Sequence, residues 1–297
     1  MWLIFAFLAP ALYAIAEIFD NFLANKEFRH PLTMVFYSSV FNLIFVPILF
    51  LFQPADFPPV HTIPIFTLLG LVNIGYLYPY YKGLKSDDTS VVVSFFAIGR
   101  IFIPVLAFLI VGEVLELQQY IGIIIVIISV VSLATHHAGK RLRLSKAAGY
   151  ITFAAFLLAF EGVFFKMLFE QGVGVSTAVG GQALISLFLA LFIPLSFKAR
   201  RDIKGTLPLF IKLSPIFLLE ELFTFLGQVS ESSAISLTSV SVVKGITMVS
   251  PFFLLIYAWL GEGIFPNLFR EDLHRKKILR KLLLFVILTV GIILIKE

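Results

Sequence analysis

Several charged side chains lie within stretches of this sequence that are otherwise apolar. They are Glu17, Asp20, Arg100, Glu161, Lys166, Glu220, Glu221 and Lys244. An ionisable group at the centre of a bilayer costs about 2.5–3.5 kcal/mol or more, so such groups pair with one another or face a water-filled cavity. A carboxylate there binds a proton or the cationic part of a solute, and a basic group binds an anionic part. The pattern therefore predicts a polar site inside a membrane.

Helical spacing adds uncharged polar residues to the same faces. Residues three or four apart lie on one side of a helix, and this rule brings in Asn73, Tyr76 and Gln228. The predicted substrate-binding or proton-binding residues are Glu17, Asp20, Asn73, Tyr76, Arg100, Glu161, Glu220, Glu221, Gln228 and Lys244. Tyr80 and Tyr81 are expected instead in the aromatic belt at the membrane surface.

Pairing between these charges is the alternative to a binding site. The pairs it allows are Arg100 with Glu17 or Glu161, and Lys244 with Glu220 or Glu221. The five carboxylates in the set outnumber its three cations. Because burial disfavours the charged form, at least one carboxylate is expected to hold a proton at neutral pH. Whether that proton is exchanged during transport of a solute is left open.

Composition indicates a membrane protein. Of the 297 residues, 59% are hydrophobic and 14% are charged, whereas a soluble domain has about 25% charged residues. A helix needs about 20 apolar residues to span a bilayer. Ten such stretches are predicted, at residues 2–24, 32–52, 63–84, 89–111, 118–135, 148–170, 175–197, 207–230, 238–260 and 278–295. The first lacks the basic start and cleavage site of a signal peptide, so it is interpreted as a retained helix.

Lysine and arginine alternate between the connectors. They follow spans 1, 3, 5, 7 and 9, and none follows spans 2, 4, 6 or 8. The positive-inside rule then places the odd connectors in the cytoplasm and both termini outside. We expect a multi-pass protein of the plasma membrane in this orientation. Basic residues confined to short loops do not indicate nucleic-acid binding.

An internal repeat organises the chain. Residues 89–113 and 238–262 have equal length, and both begin Thr-Ser and end Gly-Glu. Five spans per copy would invert the second half relative to the first and place a site where the halves meet. The predicted fold is an all-α polytopic membrane protein, with ten transmembrane helices in two inverted five-helix repeats around a central cavity. The repeats would cover residues 1–136 and 148–297, joined by a basic linker at 137–147, with the charge-free spans 5 and 10 facing lipid.

Several segments resemble a known family. They are GLKSDDTSVVV, LIVGEVLELQQYIGIIIVIISVVSL, AISLTSVSVV and WLGE, and they are similar to the EamA family of the drug/metabolite transporter superfamily. The resemblance implies ten helices in inverted halves and movement of amino acids, other metabolites or drugs, often outward and often coupled to protons. It places Gly112 in a tight turn, and Glu113 is expected to favour the N-terminus of span 5. The family's usual orientation has both termini inside, opposite to the loop charges, so the direction of transport stays open.

The leading hypothesis is a secondary transporter, an exporter of small metabolites such as amino acids or related amphipathic solutes, working by alternating access. Its expected partners are the bilayer, the solute and a coupling proton, as a monomer or homodimer, without nucleic acid or cofactor. The alternatives are a non-transporting sensor or assembly subunit, and a carrier of lipid-linked sugars or nucleotide sugars. No enzyme is predicted, since GxGD, GxSxG and HExxH motifs are absent from the sequence, as are cysteine and a histidine cluster for a metal.

Overall fold

A computed structural model describes residues 1–24, 28, 30–85, 96, 101–137, 146–261 and 275–296. All regular elements in these ranges are helical. In chain order they are α1 (Trp2–Phe22), α2 (Pro31–Phe52), α3 (Ile63–Leu84), α4 (Phe102–Val111), α5 (Leu117–His137), α6 (Lys146–Glu170), α7 (Val175–Ala190), α8 (Phe197–Leu237), α9 (Val240–Thr247), α10 (Ser250–Gly261) and α11 (Arg275–Lys296), with short 3₁₀ turns at Val60–Thr62 and Ile193–Leu195.

Five of the described helical stretches are long and apolar enough to cross a bilayer. They are Trp2–Asp20, Pro31–Phe52, Val60–Leu84, Gly149–Glu170 and Val175–Leu195. Shorter apolar helices occur at Phe102–Val111, Leu117–Ser129, Val240–Leu254 and Val286–Ile295. The predicted all-α, polytopic character is confirmed by these elements. The basic linker predicted at residues 137–147 falls largely on residues outside the described ranges.

The two predicted halves interlock instead of forming separate bundles. Helix α1 packs along α8, α3 along α6, α2 along α7, and α5 along α11. In each pair one helix comes from each half of the chain. The α5–α11 pair is close because Gly122 and Gly291 face each other, and a Cβ on Gly122 would lie 2.7 Å from the carbonyl oxygen of Gly291. Small residues permit this approach between apolar helices.

Helices α5 and α11 are the expected outer pair. Their other faces carry exposed side chains, among them Ile121, Ile124, Ile128, Val286 and Ile293. Exposed branched aliphatic residues on a helix of a membrane protein suit contact with lipid. This agrees with the prediction that the spans without charge lie at the periphery.

Helix α8 is longer than predicted. The sequence indicated a span at residues 207–230, whereas α8 has 41 residues and is about 60 Å long, twice the thickness of a hydrocarbon core. The boundary was wrong because Lys198, Arg200 and Arg201 were assigned to a loop by their charge. Lysine and arginine are good helix formers, and here they form the first turns of the helix. At the other end, the helix carries Glu231 beyond the predicted boundary.

The ninth predicted span is interrupted. Helix α9 ends at Thr247 and α10 begins at Ser250. Pro251 has no N–H to continue the hydrogen-bond ladder across this point. The expectation of a broken or bent helix in this span is therefore confirmed. In the matching span of the first half, Gly99 lies outside the described part of the chain.

Glu113 has a different partner from the one expected. Its carboxylate accepts hydrogen bonds from Ser239 Oγ at 2.8 Å, Val240 N at 2.9 Å and Ser241 N at 3.1 Å. It therefore caps the N-terminus of α9, and the expectation that it serves span 5 is wrong. Gly112 adopts a left-handed conformation with φ +67° at the turn before it. A turn in the first half thus fixes the start of the broken helix in the second half.

We predict that Glu113→Ala destabilises the protein. The N–H groups of Val240 and Ser241 lose their acceptor, which costs about 1–2 kcal/mol. The apparent melting temperature in detergent should fall by a few degrees. Glu116→Ala is the matched control, because Glu116 is exposed in the same loop. Equal melting temperatures for the two variants would contradict the capping role.

Candidate functional site

A cavity of about 170 Å³ lies among the helices of both halves. That volume holds about a dozen water molecules or one small solute. Nine predicted site residues line it: Glu17, Asp20, Asn73, Tyr76, Glu161, Glu220, Glu221, Gln228 and Lys244. The tenth, Arg100, lies outside the described residues. The cavity brings the nine together, and their part in binding stays a prediction.

One end of the cavity holds three carboxyl groups, Asp20, Glu220 and Glu221, which we name the acidic pole. They are 7%, 3% and 1% exposed and close enough to influence one another electrostatically. Glu221 accepts hydrogen bonds from Ser38 Oγ and from Asn42 Nδ2. Two helices, α1 and α8, therefore bring their acidic residues to one place.

The other two carboxyl groups of the acidic pole are half satisfied. Tyr80 donates to Asp20 Oδ2 at 3.0 Å, and Thr224 donates to Glu220 Oε1 at 2.9 Å. Their second oxygens, Oδ1 of Asp20 and Oε2 of Glu220, are buried and have no hydrogen-bond partner among the described residues. A buried polar atom without a partner carries the full cost of its lost hydration. These two oxygens are therefore the places where an added donor is most favourable.

The opposite end of the cavity holds a buried ion pair, which we name the lysine pole. Lys244 Nζ donates to Glu231 Oε2 at 2.7 Å, and Tyr13 OH donates to the same oxygen at 3.2 Å. The predicted pairing of Lys244 with Glu220 or Glu221 is thus wrong. Glu231 was missed because the span was ended at Ser230. Its spacing, three residues after Gln228 on the face of Glu220 and Thr224, was the signal that identifies it.

Amide side chains form a second hydrogen-bonded group on the cavity lining. Gln228 Nε2 donates to Gln182 Oε1, and Gln182 Nε2 donates to Glu161 Oε1 at 2.5 Å. On the neighbouring wall, Asn73 Nδ2 donates to Ser186 Oγ at 2.9 Å. These bonds join α3, α6, α7 and α8 across the cavity. A network of this kind rigidifies the site only while all its members stay paired.

The interrupted span contributes to the same cavity. Thr247, Met248 and Ser250 line it at the break between α9 and α10. Ser250 Oγ donates to Glu17 Oε2 at 3.2 Å. Irregular backbone at membrane depth is tolerated where it lines a cavity, as here. Lys166 lies elsewhere, and its ammonium donates to the carbonyl oxygen of Thr238 at 2.9 Å.

Tyr80 and Tyr81 are buried, so the prediction of an interfacial belt is wrong for both. They are 9% and 1% exposed and line the cavity. The ring centroids of Tyr76 and Tyr80 are 6.4 Å apart, and those of Tyr80 and Phe96 are 5.5 Å apart. The tyrosines turn inward because the hydroxyl of Tyr80 finds its partner on Asp20. Together these rings form an aromatic wall beside the acidic pole.

Aromatic rings pack together near the acidic pole. Tyr37 stacks on Phe210 with centroids 3.8 Å apart, and Phe28 meets Phe217 edge-on at 5.3 Å. We name these four residues the aromatic plug. Beyond it, Lys85 donates to the carbonyl oxygen of Phe28. Burial lowers the pKa of Lys85, with nearby Asp202 acting in the opposite direction.

The lining is rich in carboxyl groups. Among the described residues it has six of them, Glu17, Asp20, Glu161, Glu220, Glu221 and Glu231, against one lysine. Within the same ranges, no three histidine or acidic side chains are arranged to hold a metal ion. Along α8, Glu220 and Glu231 are about 16 Å apart, at 1.5 Å per residue. The two poles are therefore separate places in one cavity.

Comparison with known proteins agrees with this fold. Residues 1–135 match the model of the EamA-like transporter family, which belongs to the drug/metabolite transporter superfamily. A solved structure described only as "Crystal structure of protein" has a TM-score of 0.64 at 12% identity, covering 97% of this chain and 98% of that chain. None of the curated proteins matches the sequence. The resemblance to the family is thus confirmed over residues 1–135, and the family together with the apolar helices supports a multi-pass membrane protein.

We predict that Gly162→Ala disturbs the lysine pole. A Cβ at this position would lie 2.7 Å from Cε of Lys244, so the end of the lysine side chain must shift, which disturbs its ion pair with Glu231. A displaced buried ion pair costs stability, and the melting temperature should fall. Gly205→Ala in α8 is the control, since a Cβ there meets no atom within 4 Å and alanine favours helix. A Gly162→Ala protein as stable as the control would refute this packing.

Proposed function

We propose that this EamA-like membrane protein is a secondary transporter that exports small amphipathic metabolites, such as amino acids and related amines, by alternating access. The observation that carries the proposal is the central cavity, where charged side chains from both halves of the chain meet between apolar helices. Burying so many ionisable groups is costly in a membrane and is characteristic of solute and proton pathways. A sensor or assembly subunit would need no such cavity.

The packing of the helices supports two inverted repeats. In two five-span repeats, each span has a counterpart five places along the chain. Replacing both helices of the pair α1–α8 by their counterparts gives the pair α6–α3. The same replacement turns α3–α7 into α8–α2. The pair α4–α6 becomes α1 with α9 and α10. All of these pairs are in contact, and the exchange leaves α2–α7 and α5–α11 as they are. Such pairing is expected of halves related by a two-fold axis in the membrane plane, which is the arrangement of many alternating-access transporters.

The aromatic plug supports a state closed at one end. It lies next to the acidic pole, at the end of the bundle where α2 begins. Thr33 Oγ1 donates to Asp202, and His30 lies 4.0 Å from the same carboxylate. With the orientation proposed from the loop charges, this end faces the cytoplasm. Alternating access would then require the plug and the contacts of Asp202 to open.

The composition of the cavity bears on the class of solute. A carrier of nucleotide sugars or lipid-linked sugars needs cations to meet phosphate groups. Among the described lining residues, Lys244 is the sole lysine, and Glu231 already pairs with it. The excess of carboxyl groups favours solutes with a positively charged group and offers places for an exchanged proton. We therefore propose that transport of the solute is coupled to protons.

We predict that purified protein in liposomes with an imposed pH gradient transports at least one member of a panel of amino acids, amines and drugs. Glu161→Gln should lower that flux about tenfold, because it weakens a hydrogen bond to a charged group. Glu170→Gln on the same helix is the control, with a side chain that is 48% exposed. Absence of flux for every solute, with no effect of Glu161→Gln in any assay, would contradict the proposed function.

A further inference from the structure

The acidic pole has an unmet need for hydrogen-bond donors. Asp20 Oδ1 and Glu220 Oε2 are buried and without a donor among the described residues, while the other oxygens of both groups are bonded. Both residues line the cavity that a ligand would occupy. Glu221 stands beside Glu220 on the same helix. A ligand that brings donors and a positive charge would satisfy the atoms that the protein leaves open.

The aromatic wall specifies what kind of cation fits. Tyr76, Tyr80, Tyr81 and Phe96 line the cavity, and Tyr80 bonds Asp20 of the acidic pole. Aromatic faces attract ammonium groups and pack against the carbon atoms attached to them. Divalent metal ions prefer a full shell of oxygen ligands instead. The wall therefore favours an organic cation over a metal ion.

Hydrogen-bond donors decide between classes of organic cation. A primary ammonium group has three N–H donors, enough for Asp20 Oδ1, Glu220 Oε2 and one further oxygen of the pole. A quaternary ammonium has no donor and would leave the two buried oxygens unsatisfied. The number of N–H donors on a primary ammonium group thus suits the number of open acceptor oxygens, which favours a primary amine.

The lysine pole is poorly placed for a carboxylate on the same ligand. Lys244 already bonds Glu231 at 2.7 Å, and the two poles are about 16 Å apart along α8. An α-amino acid carries its ammonium and carboxylate on one carbon atom, so it cannot reach both poles. If an α-amino acid were bound by its ammonium group at the acidic pole, its own carboxylate would lie among the three carboxyl groups of that pole.

We propose that Asp20, Glu220 and Glu221, with the rings of Tyr76, Tyr80 and Tyr81, form a binding site for the primary ammonium group of an amine that lacks an α-carboxylate. This narrows the solute class and rests on the proposed function for its physiological meaning. The open carboxylate oxygens accept the N–H groups, and the carbon chain lies against the tyrosines.

The test is calorimetric binding to the purified full-length protein in detergent. The probes are 2-phenylethylammonium, its N-trimethylated derivative, phenylalanine and 3-phenylpropionate, which share a ring and differ in their charged groups. We expect 2-phenylethylammonium to bind about tenfold or more tightly than each of the others, the scale of one charged hydrogen bond. Equal or tighter binding of the trimethylated compound, phenylalanine or the propionate would overturn the proposal. This comparison needs no variant.

Substitutions then locate the site. Glu220→Gln and Asp20→Asn should each weaken binding of 2-phenylethylammonium about tenfold, whereas Glu170→Gln should leave it unchanged. Two nearly isosteric variants are used so that one remains if the other does not fold. Binding that is unaffected in a folded variant of either residue would refute the assignment.

Failure of the site and failure of the proposed function are distinguishable. Amine binding at the acidic pole with no flux of any solute in liposomes would support the site and remove the transport function. Flux of amino acids or neutral solutes, unaffected by Glu220→Gln and Asp20→Asn, would keep the transport function and remove the amine site.

Discussion

The placement of six carboxyl groups, five of them buried, in one apolar bundle is the constraint on which the rest of the structure depends. Each carboxylate taken from water must find a donor, a cation or a proton. The described residues supply hydroxyls and amides from α1, α2, α3, α7, α8 and α10, and one lysine. The helices must therefore lie where these donors contact the carboxyl groups. A cavity remains between them because some of the polar groups have no hydrogen-bond partner among the described residues. The oxygens that stay open are the chemical basis for proposing a ligand.

A second dependence links the halves of the chain. Helix α9 has eight residues, too few to be stable alone, yet it carries Lys244 into the cavity. It is held at its start by Glu113 from the first half and along its length by burial. The Gly-Glu turn of the repeated segment therefore acts at a distance, on a helix more than a hundred residues away in sequence. Because Glu113 lies in residues 89–113 and Ser239 in residues 238–262, this contact joins the two similar segments of the sequence.

Much of the cavity could be predicted because helical periodicity and the cost of membrane charges are local properties of a sequence. Glu17, Glu161 and Glu220 were found in this way. The predictions that were wrong concern residues whose positions depend on tertiary contacts. Tyr80 and Tyr81 were assigned to the surface by residue type, whereas a buried carboxylate draws the hydroxyl of Tyr80 inward. Glu113 was assigned to the nearest helix in sequence, although a more distant N-terminus offers it three donors. The basic residues at the start of α8 suggest a loop because charged residues favour solvent. Charge does not exclude a helix, however, and these residues are helical.

The central claim is that the cavity opens alternately to the two sides of the membrane. The sequence has no cysteine, so Thr224→Cys would place a single thiol on the cavity lining. Its labelling by a membrane-impermeant maleimide should be measured in sealed liposomes of known protein orientation, from each side separately. The account predicts labelling from both sides, at rates that change in opposite directions when a bound solute shifts the equilibrium between the two states. Labelling from one side alone, with and without solute, would contradict it.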